Sequence, residues 1–429
     1  MVSRSLSSQR YEQTTLANGL RVVSCEMPHT RSVSISAYVG VGSRYEADDR
    51  AGVSHFVEHM VFKGTERRPD PVDISAQIES TGGMINAGTE QEMTAYWCKV
   101  AQPYFSESVD LILDMLRNSL FRQDDIEKER HVIHEELAMI NDYPASRVDS
   151  LIDEMLWPDH PLGRDIGGNH ESVDSIDRDM LIKHMGEYYT PSNTVISVAG
   201  GVPHSYVVSE VEKLSWDWPD GVKYPPAPVV SQQRQSQLRL EYRKTEQLHL
   251  SIALPGLALD DPDIFALDLL SVILGGGMSS RLFVELRENR GLAYDVHSGV
   301  SHFRDTGAFI ITAGVDPASA YEAVPAILEQ IAAVRDSIDD HEVERAKQLV
   351  AGRLMLRMED TRAVSAWMGS QEMVRGAILN VDDVVERVKA VTTEDLCRVA
   401  SQNLIDDHLN LAVVGPCRGR KRLSRLLKL

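Results

Sequence analysis

Two histidines and a glutamate lie within five consecutive positions of the stretch GVSHFVEHMVFKGT, at His55, Glu58 and His59. Most residues around them are apolar, so burying these polar side chains costs free energy unless they have a role. The stretch has no proline and carries apolar residues at helical spacing, which predicts a helix. On a helix, residues four apart are neighbours, so the two imidazoles can converge on one metal ion.

Glu58 lies beside the two histidines but points at an angle to the direction of the metal. A carboxylate in that place can act as a base on a water at the metal instead of serving as a ligand. The HxxEH pattern is the inversion of the HExxH pattern of the zincins and keeps the same chemical parts. The alternative is a pair of structural histidines.

A catalytic zinc ion usually has three protein ligands and one open position, so a third ligand is expected elsewhere in the chain. The stretch DDIEKERHVIHEELAMIND is predicted to be a helix and offers three glutamates and two histidines, namely Glu129, Glu135, Glu136, His131 and His134. Glu129 and Glu136 are seven residues apart and share one face. Glu135 points about 100° away from Glu136 around the helix.

The two halves of the chain resemble each other. Two 24-residue segments 215 positions apart, the first at 107–130, share nine identities and end in the same DDxExER pattern. At this offset Glu129 corresponds to Glu344, but Glu136 corresponds to Ala351. The counterpart of the histidine segment, ALDLLSVILGGGM, has no histidine. The second half is therefore expected to lack a metal site.

The elements that position these groups occur as runs of strands and helices without strict βαβ alternation, which predicts an α+β fold. Residues 32–41 alternate like a half-buried strand, and LRVVSCEM follows a turn at Asn18-Gly19, so these two segments are expected to form a hairpin or neighbouring strands. The proline-rich KYPPAP fits neither a helix interior nor a central strand.

We therefore predict two tandem homologous domains, each a largely antiparallel sheet packed with helices. The amino-terminal domain, with the metal motif, is placed at residues 1–205 and the carboxy-terminal domain at 231–429. A linker at 206–230 joins them.

The composition is typical of a globular protein, with 43% apolar and 25% charged residues, and 429 residues exceed what one core usually supports. A net charge of −20 disfavours nucleic acid as a partner, and no window is long and apolar enough for a membrane span. The four cysteines form no CxxC pair, which indicates a reducing compartment; they are Cys25, Cys98, Cys397 and Cys417.

We expect a cytoplasmic location of the bacterial kind. The alternative is the mitochondrial matrix, because Arg4 and Arg10 lie among serines before the first acidic residue, as in a transit peptide. The basic carboxy-terminal stretch CRGRKRLSRLLKL is expected to be a solvated tail, with a helix for a lipid surface or a partner as the alternative.

The metal motifs resemble those of the pitrilysin-type inverzincin metallopeptidases, and most of all the branch that contains the mitochondrial processing peptidase and its bacterial relatives. The resemblance rests on HFVEHMVFKGT and, well downstream of it, on Glu136 in ERHVIHEEL, and it extends from LANGLRVV to NLAVVG. It implies one zinc ion per chain bound by His55, His59 and Glu136. By the same resemblance, Glu58 is the general base and Glu129 supports a ligand.

Two further stretches resemble segments of the same family. STGGMINAGTEQEMTAYWCKV is similar to its substrate-binding edge strand, which implies that Asn86 and Ala87 hold the main chain of a peptide. GGGMSSRLFVELRENRGLAYDV is similar to the segment that supplies an arginine and a tyrosine to the active site, here Arg287 and Tyr294. A structural turn and strand is the alternative for the first stretch. A phosphate loop is disfavoured for the second, because GGGMSS lacks the Gly-Lys-Ser/Thr that such a loop needs.

The resemblance implies a zinc-dependent endopeptidase that binds peptides or unfolded segments as an added strand inside an enclosed chamber. Each chain would form half of a clamshell. Because one sequence carries both the zinc motif and the Arg/Tyr motif, we expect a homodimer, with a hetero-oligomer as the alternative. The competing hypothesis is a non-catalytic or partner-dependent core subunit of the same superfamily. A zinc hydrolase for small molecules is disfavoured by the edge strand.

Overall fold

The computed structural model describes residues 10–230 and 233–429. Arg4, on which the alternative mitochondrial location partly rests, lies outside these ranges. No helix in the described part of the chain has the length and apolar character that crossing a membrane requires.

The strands of the described ranges are, in chain order, β1 (Tyr11–Thr15), β2 (Arg21–Glu26), β3 (Ser32–Val39), β4 (Met84–Thr89), β5 (Thr94–Ala101), β6 (Thr194–Gly200), β7 (Gln237–Tyr242), β8 (Leu248–Pro255), β9 (Ala293–His302), β10 (Gly307–Val315) and β11 (Asn410–Gly415). The α-helices of the same ranges are α1 (Val53–Met60), α2 (Pro71–Glu79), α3 (Phe105–Asn118), α4 (Gln123–Asp142), α5 (Pro144–Leu156), α6 (His170–Ser175), α7 (Arg178–Tyr188), α8 (His204–Ser215), α9 (Ile264–Gly275), α10 (Ala320–Asp336), α11 (Asp340–Arg357), α12 (Thr361–Arg375), α13 (Val381–Ala390), α14 (Thr393–Asn403) and α15 (Arg420–Leu426).

These strands form two sheets. The first has the order β1-β2-β6-β3-β5-β4, and the second has the order β7-β11-β8-β10-β9. Neighbouring strands are antiparallel except for β2 with β6 and β7 with β11. The predicted α+β class with largely antiparallel sheets is confirmed.

The turn at Asn18-Gly19 joins β1 to β2 in a hairpin, and Gly19 has a φ of 86°, which a residue without a side chain adopts without strain. The prediction that LRVVSCEM and residues 32–41 pair or lie side by side was wrong. Strand β6 lies between β2 and β3 and pairs with both of them. A strand from much later in the sequence thus separates two consecutive ones.

The described chain forms two compact units, and neither is contiguous in sequence. The first contains the described residues up to Leu137, Asp165–Ala227 and Leu354–Asp382, and the second contains Ala138–Arg164, Pro228–Arg353 and Asp383–Leu429. Helix α5 therefore belongs to the second unit, although it precedes the predicted linker, and α12 belongs to the first. A single boundary in the sequence cannot separate the two units, because each unit contains a helix from the other half of the chain.

Strand β3 is buried on both faces, whereas its alternating pattern predicted one exposed face. Helix α12, which begins at the capping residue Asp360, covers the second face. There the hydroxyl oxygens of Ser36 and Ser365 lie 2.9 Å apart. Gly369 permits this close approach, because a Cβ at that position would lie 2.3 Å from Cε2 of Tyr38. The face is polar in sequence but buried, because α12 satisfies its hydroxyl groups.

The main core of the first unit lies on the other face of its sheet. Helix α3 packs on β3 and β5, α8 packs on β2, and α1 packs on β4. Their apolar side chains join those of the strands in one cluster that includes Val33, Phe56 and Val207. Helix α8 occupies part of the segment predicted as a linker, because its apolar residues Val207 and Val211 are buried. The irregular connection therefore begins only after this helix.

In the second unit, α5 packs on β8 and β11, and α9 packs on β9. The basic carboxy-terminal segment is not a solvated tail. It contains α15, which packs on α10 and β7 and buries Leu423, and Leu427 just after the helix is also buried. The arginine and lysine side chains of this helix are exposed, so its apolar positions decide its placement.

Candidate metal centre

Helix α1 begins at a well-defined point. Gly52, which precedes it, has a φ of 93°, and a Cβ there would lie 2.3 Å from the carbonyl oxygen of Gly167. The buried carboxylate of Glu46 accepts hydrogen bonds from the backbone N–H groups of Gly52 and Ser54, both at 2.7 Å. A carboxylate at this end satisfies free N–H groups and interacts favourably with the helix dipole. The helix that carries the HxxEH motif is therefore anchored at its start.

The structure brings His55, His59 and Glu136 together. The two Nε2 atoms are 3.2 Å apart, and Oε2 of Glu136 is 3.6 Å from each of them. Among the described residues, these three form the only group of three or more histidine, cysteine or acidic side chains whose donor atoms are close enough to share a metal ion. Glu135 is exposed and lies outside this group.

Glu129 contacts the other nitrogen of His59. Its Oε2 lies 3.0 Å from Nδ1 of the ring. Because a carboxylate only accepts hydrogen bonds, Nδ1 must donate, and in the neutral ring Nε2 then keeps its lone pair for the cluster. The other oxygen of Glu129, Oε1, lies 2.6 Å from Nζ of Lys63. Lys63 was not identified from the sequence, although it follows His59 by four residues, the spacing of neighbours on one helical turn.

Glu58 is contacted by the edge strand of the first sheet. Thr89, the last residue of β4, donates a hydrogen bond from Oγ1 to Oε2 of Glu58 over 2.6 Å. Glu58 itself does not belong to the group of possible metal donors. The sequence pattern did not single out Thr89; the available signal was its place three residues after Asn86 in the stretch INAGT.

Burial and neighbouring charges shift the pKa values at this site. Burial, and then the neighbouring His59, lower the pKa of His55 to about 4, so this imidazole is neutral near pH 7. Burial also opposes a charge on His59, but its hydrogen bond to Glu129 and the surrounding carboxylates outweigh burial and raise its pKa. Burial raises the pKa of Glu58, against the opposing effect of the hydrogen bond from Thr89. A carboxylate with a raised pKa exchanges protons more readily near neutral pH.

Strand β4, which carries Asn86 and Ala87, lies at the edge of the first sheet and pairs with β5 on its inner side. Asn86 is exposed, and its Oδ1 accepts a hydrogen bond from the N–H of Ala87 at 2.7 Å. Helix α1 packs against this strand. An edge strand has backbone N–H and C=O groups that can pair with a further strand. Such a strand would lie beside the helix that carries the two histidines.

Arg287 and Tyr294 lie in the second unit and contact each other. Nη1 of Arg287 donates a hydrogen bond to the carbonyl oxygen of Tyr294 at 3.0 Å. The guanidinium carbon lies 5.0 Å from the centre of the Tyr294 ring and 4.9 Å from that of Phe283. Arg287 belongs to a π-helical segment, Phe283–Asn289, a form that often occurs at functional sites. Tyr294 is 71% exposed.

The donor set of α1 and α4 fits a zinc ion. Two ligands bound at 2.0–2.1 Å to a tetrahedral zinc lie about 3.3 Å apart, close to the separations of 3.2 Å and 3.6 Å found here. Two imidazoles and one carboxylate are a common ligand set of catalytic zinc, and they leave one position open. In the ring of His55, Nδ1 is buried and has no hydrogen-bond partner among the described residues, so Nε2 is the interacting nitrogen.

Two family models match most of the chain. The family model described as "Insulinase (Peptidase family M16)" matches residues 21–170, and that described as "Peptidase M16 inactive domain" matches residues 175–350. An uncharacterized zinc protease of Streptomyces coelicolor is 35% identical, over 96% of this chain and 91% of the relative. The mitochondrial-processing peptidase subunit beta of Dictyostelium discoideum is 32% identical, over 94% of this chain and 88% of the relative.

A crystal structure of a protease from Helicobacter pylori superposes with a TM-score of 0.89 at 23% identity, over 95% of this chain and all of the other, and supports the fold. The three candidate donors His55, His59 and Glu136 lie within the residues that the first family model matches. The two family models together match well over half of the chain, and both of these relatives span nearly all of it. The chain therefore belongs to peptidase family M16, as its resemblance to the pitrilysin-type metallopeptidases predicted.

Proposed function

We propose that the protein is a zinc-dependent endopeptidase that hydrolyses peptides or unfolded segments. The observation that carries this proposal is that the donor atoms of His55, His59 and Glu136 converge. Beside them lies the carboxylate of Glu58, which is not one of the donors. The names of relatives as zinc proteases support the same class of reaction.

When bound, zinc would supply a Lewis acid that polarises the substrate carbonyl and lets a water give up its proton more readily as that water attacks the carbonyl. Glu58 accepts the proton of that water and returns it to the leaving amine. Its raised pKa favours the uptake of that proton, because the protonated carboxyl is less costly than the carboxylate in a buried site. Glu129 orients the ring of His59 through the hydrogen bond to Nδ1.

We propose that Asn86 and Ala87 on β4 hold the substrate as an added strand. Main-chain hydrogen bonds would supply most of the binding, so recognition would depend only loosely on the side chains of the peptide. The contact of Thr89 with Glu58 supports this placement, because it joins the end of β4 directly to the proposed base.

We further propose that the protein is a homodimer in which Arg287 and Tyr294 of one chain act at the zinc of the other. A tyrosine hydroxyl suits stabilisation of the developing oxyanion, and an arginine can hold a substrate carbonyl. The exposed position of this pair supports a role toward a partner. The name of the Dictyostelium relative as a subunit also supports an assembly of several chains.

A second candidate function is that of a non-catalytic or partner-dependent core subunit. One observation favours it, namely that the second half matches a family model described as an inactive domain. The complete set of donors on α1 and α4 in the first half favours the peptidase.

Three variants, studied by metal analysis and a peptide-cleavage assay, test the proposal. Glu58→Gln is expected to keep one zinc per chain while cleavage falls by about 10²–10⁴-fold, the usual cost of losing a general base. Glu136→Gln is expected to lose both zinc and cleavage. Glu135→Gln is the matched control, one position away and exposed, and should keep both.

The outcomes separate the two functions. Full activity of Glu58→Gln would exclude this residue as the base. A wild-type protein that binds zinc but cleaves no peptide until another chain is added would favour the partner-dependent subunit.

A further inference from the structure

We propose that Lys63 is a positioning residue of the metal centre, which holds Glu129 so that the Nε2 lone pair of His59 faces the zinc. The inference rests on the proposed zinc site and concerns a residue outside the group of metal donors. It adds a third member to the pair of Glu129 and His59.

The contacts form a continuous series. Nζ of Lys63 lies 2.6 Å from Oε1 of Glu129, and Oε2 of the same carboxylate lies 3.0 Å from Nδ1 of His59. Each oxygen of Glu129 therefore has its own partner. With one oxygen fixed by the lysine, the carboxylate cannot rotate away without breaking an ion pair, and the hydrogen bond to the ring is held in place.

The surroundings make this ion pair different from a surface pair. The side chains of Lys63 and Glu129 are only 30% and 9% exposed. A carboxylate with so little access to water depends strongly on its partners, because removing one leaves a buried charge without compensation. The backbone of Lys63 lies in an ordered turn, because its N–H donates a hydrogen bond to the carbonyl oxygen of Met60 at 3.0 Å.

The simpler alternative is that Lys63 only stabilises the fold. The chain offers a matched comparison in Lys128, which lies on α4 next to Glu129, pairs with Asp125 at 3.1 Å and is 72% exposed. Both lysines form one ion pair with a carboxylate. Only the pair of Lys63 involves a carboxylate that contacts a candidate zinc ligand.

The test is the zinc affinity of the full chain, measured by competition with a chelator for the wild type, Lys63→Met, Glu129→Gln and the double variant. Lys63→Met is expected to weaken zinc binding by about 3–10-fold, less than the 10–100-fold typical of a group that contacts a ligand directly, which is expected for Glu129→Gln. Lys63→Arg keeps the cation and should restore the affinity to within about twofold. Lys128→Met should leave it unchanged.

The double variant distinguishes positioning from general stabilisation. If Lys63 acts through Glu129, Lys63→Met causes no further loss in the Glu129→Gln background. Equal losses in both backgrounds, or a lower melting temperature of the metal-free protein with unchanged zinc affinity, would overturn the inference. Failure of the wild type to bind zinc would overturn the proposed function together with it, whereas tight binding that Lys63→Met leaves unchanged would overturn this inference alone.

Discussion

Thr89 donates a hydrogen bond over 2.6 Å to Glu58, and this contact joins the end of an edge strand to the candidate base on α1. The contact therefore fixes the position of the carboxylate that would take up a proton relative to the strand that would bind a peptide. Hydrogen bonds to a charged group are stronger than those between neutral groups, so the contact is able to orient Glu58.

Replacing Thr89 with valine removes the hydroxyl and keeps the shape of the side chain. A hydrogen bond to a charged group contributes about 1.5–3 kcal/mol, so we expect kcat for peptide cleavage to fall roughly 10–100-fold. KM should change less, because the backbone of β4 is unaltered. Steady-state kinetics on a fluorogenic peptide would measure both. Thr89→Ser keeps the hydroxyl and serves as the control, and a valine variant with normal kcat would show that the contact is dispensable.

Mixing two inactive variants tests the proposed homodimer. Glu58→Gln removes the base and Tyr294→Phe removes the hydroxyl that would come from the partner. If each site uses groups from two chains, a mixed dimer contains one intact site, and random exchange of equal amounts should restore about one quarter of the wild-type activity. The mixture is assayed after subunit exchange, beside each variant alone. No recovery in a mixture shown to contain mixed dimers would argue against sharing of the site between chains.

The surroundings of two helical glycines predict that alanine substitutions at these positions change the stability of the protein in opposite directions. A Cβ at Gly369 would lie 2.3 Å from Tyr38, so Gly369→Ala should destabilise the protein by about 1–3 kcal/mol through overcrowding. Gly352 on α11 has no atom within 4 Å of such a Cβ. Gly352→Ala should therefore stabilise the protein by about 0.5–1 kcal/mol through the better helix propensity of alanine. Calorimetric melting temperatures would show the difference in sign, and a stabilising alanine at 369 would contradict the placement of α12.

His184 predicts how stability depends on pH. This ring is buried, with Nε2 3.2 Å from Oγ of Ser54. Burial, and then the charge of Arg50, lower its pKa to about 3. In the unfolded chain the pKa is about 6.5, so between these values the unfolded state binds a proton that the folded state does not. Above about pH 6.5, His184 is neutral in both states and does not change the free energy of unfolding. Below that pH, its contribution lowers the free energy of unfolding by about 1.4 kcal/mol per pH unit until the pH approaches 3.

The measurement for His184 compares metal-free wild type with His184→Gln. Denaturant unfolding between pH 7 and 4 gives the slope of the free energy of unfolding against pH. We expect this slope to be smaller in the variant by about 1.4 kcal/mol per pH unit, which corresponds to the uptake of one proton. This difference does not depend on the absolute stability of the variant. The same slope in both proteins would mean that His184 is protonated in the folded state.

The sequence by itself determined the local parts of the centre. The spacing of His55, Glu58 and His59 on an apolar background was enough to predict a helix with two neighbouring imidazoles, because a helix has a regular period. The same period places Glu136 and its neighbour Glu135 on different sides of α4, and the resemblance to the family then predicted Glu136 as the ligand; the structure leaves Glu135 exposed. The class of fold and the family also followed from patterns and motifs within the chain.

Only the tertiary structure decided which distant groups meet. The contacts of Lys63 with Glu129 and of Thr89 with Glu58 join residues on different elements, and no local pattern specifies such pairs. The packing of α12 on the serine-rich face of β3 is another contact that no local pattern specifies, because α12 comes from near the other end of the chain. Periodicity along the chain shows which side of an element is apolar, but the partner of that side depends on packing between elements, which is a property of the folded chain as a whole.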